Sequence, residues 1–286
     1  MQTKFNYSFE VFPPKTLEGI QTKETVWSHL QALQPNFISV TFGAGGSTQS
    51  QTLALVKHLQ QKNIDVTPHL SCINLTKATI LDLLEQYKRI GIKRLIVIRG
   101  DLPIGQTQQT GDFNHACDLV AFIREHFDHQ FAIIVAAYPE FHPETNDALS
   151  DFKHFKAKVD AGADAAITQY FFNCDAYCRF MDLCSTNHIN IPIIPGIMPI
   201  YNFTKLMRFS KICQADIPQW LAKRLEAFSE DEQSLQAFGL DVTTQLCQDL
   251  RAKGAPALHF YTLNQSFMVE KILYSLGIQV KAASVA

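Results

Sequence analysis

The sequence predicts an α/β fold: eight parallel strands, each followed by a helix, closing into a (β/α)8 TIM barrel with extra helices before the last strand. Three observations predict it. Eight short apolar runs rich in β-branched and aromatic residues alternate with longer amphipathic stretches. Runs such as IVIR, FAIIVAA and IPIIPGI are apolar almost throughout, as parallel strands covered on both faces are. The chain has 286 residues, which suits a barrel that fills roughly 250 as one unit, so one domain over 1–286 is expected. An open doubly wound sheet is the alternative.

The elements follow in order. Strands are expected at Ser8–Phe12, Asn36–Phe42, Asp65–Cys72, Arg94–Arg99, Phe131–Ala137, Ala165–Phe171, Ile191–Gly196 and Ala257–Thr262. The first helix is expected over Leu17–Leu33, where Ile20, Val26, Leu30 and Leu33 share a face. The next cover Thr48–Lys62 and Thr76–Ile90, the latter opening on a capping Thr. Further helices fall near Asn114–His126, Ser150–Ala161, Asp175–Asn187, Asn202–Lys211 and Phe267–Leu276, with Gly91 and Gly162 where C-terminal caps belong. Asp216–Lys253 interrupts the alternation with helical patterns of its own.

Composition narrows the function. Hydrophobic residues make up 47% and charged residues 18%, which supports a large core and excludes a disordered chain. A net charge of -2 excludes the strongly basic footprint of a nucleic-acid binder. The cysteine count is odd, at positions 72, 117, 174, 178, 184, 213 and 247 with no CxxC spacing, so reduced thiols are expected and a disulfide framework or metal site is not. No signal peptide or membrane span is legible, and a cytoplasmic enzyme is the expectation.

In such a barrel, catalytic groups sit at the carboxyl ends of strands. Polar residues gather there in seven of the eight units: Glu10; Thr41; His69; Arg99, Gly100 and Asp101; Tyr138, Glu140, His142 and Glu144; Gln169; and Tyr261, Thr262 and Asn264. Glu10 lies between Phe9 and Val11, and apolar surroundings raise a carboxyl's pKa towards that of a general acid. It could instead pair with a barrel cation. Gly100 permits close backbone approach to a ligand, or RGDLP is a plain turn capped by Asp101. YPEFHPE reads as a site loop or a rigid surface loop. GAGGS at 43–47 matches neither dinucleotide nor P-loop fingerprints. Asp151, His154 and Lys158 share one helix face, either solvated or laid along a phosphate- and ribose-bearing ligand. Phe209 reads as core by spacing.

The motifs SFEVFPPK, VTFGAGGS, TPHLSC, RGDLP, AAYPEFHPE, KVDAGADAAITQYFF, IIPGIMP and HFYTLN occur in order over nearly the whole chain. The sequence thereby resembles methylenetetrahydrofolate reductases of the bacterial type. The resemblance implies noncovalent FAD, oxidation of NADH or NADPH, and conversion of 5,10-methylenetetrahydrofolate to 5-methyltetrahydrofolate in ping-pong order. Glu10 matches the family's catalytic acid and Asp101 the carboxylate beside flavin and pterin. Thr41, His69, Arg99, Gly100, Asp101, Ala116, Tyr138, His142, Asp151, His154 and Lys158 fall on FAD-contacting positions. Gln169 and Phe209 match residues that meet folate and nicotinamide in turn, and Lys205 and Gln265 stand at folate-contacting positions. His154 and Ala157 replace an Asn and an Arg of the enteric pattern, leaving Lys158 and His154 to carry more of the diphosphate. Family members are dimers or tetramers, so a homo-oligomer is expected. The alternative is a catalytically altered barrel that binds flavin or pterin without turnover.

Overall fold

The computed structural model describes residues 5–14, 16, 18–42, 49–102, 105–106, 108–140 and 147–278. Its eight strands are all parallel and close in chain order: β1 (Asn6–Val11), β2 (Ile38–Val40), β3 (Val66–Ser71), β4 (Arg94–Ile98), β5 (Ala132–Ala137), β6 (Ala165–Tyr170), β7 (Ile193–Ile197) and β8 (Ala257–Tyr261). Closure is made by β8 pairing with β1, Glu10 opposite Tyr261. This is a TIM barrel.

Helices α3 (Gln49–Gln61), α4 (Lys77–Arg89), α5 (Ala116–Phe127), α6 (Ala148–Asp160), α7 (Cys174–Thr186), α8 (Phe203–Cys213) and α11 (Phe267–Ser275) follow β2 to β8 in turn. The insertion before β8 is helical, as α9 (Gln219–Ala227) and α10 (Glu232–Ala252). The single helix expected over Leu17–Leu33 is instead two, α1 (Glu18–Thr22) and α2 (Glu24–Ala32). An unbroken helix would offer the Ile20 carbonyl to residue 24, but that oxygen accepts the Trp27 indole N–H at 3.1 Å. Thr76 caps α4 by accepting the Thr79 N–H, and Gly91 and Gly162 follow the last residues of α4 and α6 at positive φ. No helix among the described residues is long and apolar enough to cross a membrane.

Strand alternation decides what enters the barrel. On β1, Tyr7, Phe9 and Val11 face the helices and are almost wholly buried. On β8, Leu258 and Phe260 do the same. Burying each such side chain stabilises by about 1.5–3 kcal/mol. The intervening residues Ser8, Glu10, His259 and Tyr261 therefore point inwards, as His69 does between the buried Pro68 and Leu70. Beside them Phe37, Ile96, Ile134 and Ile167 form an apolar plug, with Phe37 stacked on the His259 ring at 6.0 Å. A second apolar cluster, including Tyr170, Met198, Leu206, Leu221 and Leu225, seats α8 and α9 over the ends of β6 and β7.

Candidate active site

At the barrel mouth, the Glu10 carboxylate meets two imidazoles. Its Oε2 lies 3.3 Å from His69 Nε2 and 3.8 Å from His259 Nε2. On the far side of the ring, His259 Nδ1 is 2.7 Å from Ser8 Oγ. The Glu10 main chain is held by Thr262, whose hydroxyl and N–H both donate to its carbonyl oxygen. Burial pushes the Glu10 carboxyl up, as the apolar neighbours in sequence suggest. The flanking His259 and His69 outweigh that effect and hold it down to about 2. The raised pKa expected from sequence is therefore corrected: in the open site Glu10 is a carboxylate. His259 is wholly buried, and burial pushes its imidazole below the usual range.

To one side of the mouth lies a cavity of about 320 Å³. The end of β4 supplies Arg99, Gly100 and Asp101, and the start of α5 supplies His115, Ala116 and Cys117. Tyr138 follows β5, and α6 turns Asp151, His154 and Lys158 inwards. The Lys158 ammonium donates to the Ala136 carbonyl at 2.6 Å, and burial lowers its pKa to about 8. Burial raises the Tyr138 phenol. The shared helix face of Asp151, His154 and Lys158 thus lines the pocket, with His154 still exposed to solvent.

Across the barrel a smaller cleft of about 190 Å³ opens between the ends of β1, β7 and β8 and helix α8. Phe12, Met198, Tyr201, Lys205, Phe209 and Gln265 line it. The reading of Phe209 as core is corrected, because the buried stripe of α8 runs through Leu206 and Ser210. Phe209 lies one position off that stripe and is 38% exposed. Gln169, on β6, lines a narrow crevice with Tyr138 and Cys213.

Eight of the residues expected at the flavin, namely Arg99, Gly100, Asp101, Ala116, Tyr138, Asp151, His154 and Lys158, thus share one cavity. Two others do not line it. His69 belongs to the Glu10 group, and Thr41 is bound into the barrel end, its N–H donating to Val11 and its carbonyl accepting the Thr52 hydroxyl. His142, Glu144 and the GAGGS segment lie outside the described residues. Some of the polar rim is structural: Asn264 bridges the Phe12 N–H and carbonyl at 2.9 Å each, and Glu140 accepts the Asp216 N–H. Sequence reasoning missed His259, Ser8 and His115. The first two carried a signal, being polar residues two positions before Tyr261 and Glu10 and so on the same inward face.

Side chains at the carboxyl ends of parallel strands, an acid–base group in the mouth and a polar cavity beside it define a barrel enzyme. A family model described as methylenetetrahydrofolate reductase matches residues 1–277. A 5,10-methylenetetrahydrofolate reductase of Salmonella typhimurium is 37% identical over 280 residues, covering 98% of this chain and 93% of that protein. One from Buchnera aphidicola is 38% identical over 279 residues, covering 97% and 94%. The probable methylenetetrahydrofolate reductase (NADH) of Oryza sativa is 39% identical, covering 95% of this chain and 48% of that protein. The chain belongs to the methylenetetrahydrofolate reductase family. Its fold also matches a solved Clostridium thermocellum protein described as binding two copies of 5-methyl-5,6,7,8-tetrahydrofolic acid, with a TM-score of 0.67, 15% identity and coverage of 96% and 94%.

Proposed function

We propose that the protein reduces 5,10-methylenetetrahydrofolate to 5-methyltetrahydrofolate with electrons from NADH or NADPH, carried by FAD in ping-pong order. The observation that carries this reading is the Glu10–His69–His259 group at the mouth, set between a cavity with phosphate-binding chemistry and an aromatic cleft. The donor set of the cavity fits FAD. Lys158, Arg99 and His154 would meet its diphosphate, and Asp151 its ribose hydroxyls. Bound FAD supplies the two-electron carrier that no side chain can provide.

The chain's own residues do the rest. The exposed Phe209 ring gives nicotinamide and pterin a surface to stack on in turn. The Glu10 carboxyl lies 3.3 Å from the His69 ring. Its two forms are the carboxylate and, after uptake of a proton from solvent, the neutral acid. A planar ring seated over the mouth excludes water, and desolvation favours the uncharged form. Substrate binding thus makes Glu10 the acid that protonates the folate bridge and opens it. Asp101 places negative charge beside the carrier and the cationic, ring-opened folate.

Asp101→Asn is expected to raise the flavin potential by about 30 mV and slow folate reduction about tenfold, one unit charge in a half-covered site being worth on the order of 1.4 kcal/mol. Spectroelectrochemistry reads the first effect, and an unchanged potential would sink the electrostatic role. For the function itself, the full chain is titrated with FAD, bleached anaerobically with NADH, then mixed with methylenetetrahydrofolate. Bleaching followed by return of the flavin colour is the expected result. A chain that takes up no flavin overturns the reading, and one that bleaches but ignores the folate is the catalytically altered barrel.

A further inference from the structure

Away from the barrel mouth, α7 carries a face of sulfur that the reductase reaction does not use. Cys174 is the first residue of that helix, Cys178 follows one turn on, and Met181 three residues later. Helix positions three and four apart bring Cβ atoms to roughly 5–6 Å, and the three residues fall within a sector of about 60°. The buried stripe of α7 runs through Ala176, Tyr177, Phe180 and Cys184, so the sulfur face borders the core, and all three residues are half-buried. The two thiols meet: burial, and then the Cys178 thiol beside it, push the Cys174 thiol up to about 11. Of the other cysteines, Cys72, Cys184 and Cys247 are buried, while Cys117 and Cys213 belong to α5 and α8.

We infer that Cys174, Cys178 and Met181 form a binding site for a soft, low-coordinate monovalent metal ion of the copper(I) class, separate from the reductase site.

The donor set chooses the ligand. Thiolate and thioether sulfurs are soft, and soft donors select copper(I) over magnesium, calcium or manganese. Among the described residues no three His, Cys, Asp or Glu side chains could together hold a metal ion, so zinc would fall short of the four ligands of its structural sites. A filled-shell monovalent ion is satisfied by two or three sulfurs. A disulfide does not suit the pair, because Cβ atoms at helical spacing stand farther apart than the roughly 3.5–4.5 Å that a disulfide spans. An ion between the sulfurs takes up that gap without moving the backbone. Binding exchanges two S–H bonds for two S–metal bonds: the ion enters as M+, two protons leave to solvent, and Met181 gives a neutral lone pair. No atom changes oxidation state. The raised Cys174 thiol is no obstacle, since a coordinating thiol is deprotonated outright.

The full chain, reduced and kept from air, is titrated with copper(I) in competition with a coloured copper(I) chelator. One tightly held ion per chain is expected, with a thiolate-to-metal band in the ultraviolet. Cys174→Ser and Cys178→Ser should each weaken binding by more than about a hundredfold, beyond the usual cost of losing an outer-shell partner. Met181→Leu, which nearly conserves volume, should weaken it roughly tenfold by removing the third sulfur. The Cys117→Ser, Cys213→Ser double variant should bind as the parent does, and zinc(II) should not displace the ion. X-ray absorption of the copper-loaded parent reads the ligands without any substitution, and a shell of sulfur alone is expected. No uptake by the parent, uptake surviving either α7 cysteine change, an unchanged affinity in Met181→Leu, displacement by zinc(II), or nitrogen or oxygen in the copper shell overturns the inference.

Discussion

Glu10→Gln is expected to slow the folate half-reaction by about 10²–10⁴-fold, the usual worth of general acid catalysis, while FAD reduction by NADH continues largely unchanged. Gln fills the same volume between His69 and His259, the former 3.3 Å away, but holds no transferable proton. Nicotinamide oxidation needs no acid at that position, which is why the half-reactions should part. Anaerobic stopped-flow traces of flavin bleaching and reoxidation separate them, and an equal fall in both would remove Glu10 from the role of acid. Acid stability gives a second readout. The carboxyl is depressed from its ordinary 4.5 to about 2, so its contribution is complete above the ordinary range and is lost as pH falls from there to about 2. The variant lacks the contribution throughout, so its stability should fall less over that window.

The fold was legible because parallel strands buried on both faces spell themselves in continuous apolar runs, and each of the eight appeared near its place. The break at Lys23 was not, since it depends on where the Trp27 indole finds an acceptor, and helical periodicity carries no record of that. The strand ends marked polar residues around the barrel mouth, yet could not separate Asn264, which ties β8 to β1, from Gln169 or Asp101, which line open space. Glu10 shows the limit most plainly. Phe9 and Val11 suggest a carboxyl raised by burial, but the groups that decide its charge, His69 and His259, arrive from β3 and β8 across the barrel. Local sequence reports the solvent a side chain loses, not the partners that closure brings. His115 escaped for the same reason, because the His154 ring it stacks on stands on another helix.

Gly100→Ala is expected to destabilise the protein by about 2–5 kcal/mol and to weaken FAD binding with it. The residue sits at φ +86°, a left-handed conformation that costs a residue with a Cβ roughly 1–2 kcal/mol. A Cβ built there would lie 2.0 Å from Ser71 Oγ and 3.0 Å from Ile73 Cγ2, an overlap that can be relieved only by movement. If Ser71 turns away, its 2.8 Å hydrogen bond to the Arg99 carbonyl is lost. If the backbone moves instead, Arg99 and Asp101 on either side are re-aimed out of the cavity they line. Overpacking of this kind costs typically 1–3 kcal/mol more. Urea unfolding reads the stability, and flavin titration reads the site. The two contributions separate in a double-mutant cycle with Ser71→Ala, which removes the 2.0 Å clash but leaves the strained φ, so the double variant should be more stable than the sum of the single effects predicts. Strict additivity would mean that the Ser71 hydroxyl does not fix glycine here, leaving backbone strain and the 3.0 Å approach to Ile73, and a Gly100→Ala protein as stable as the parent would mean that none of these does.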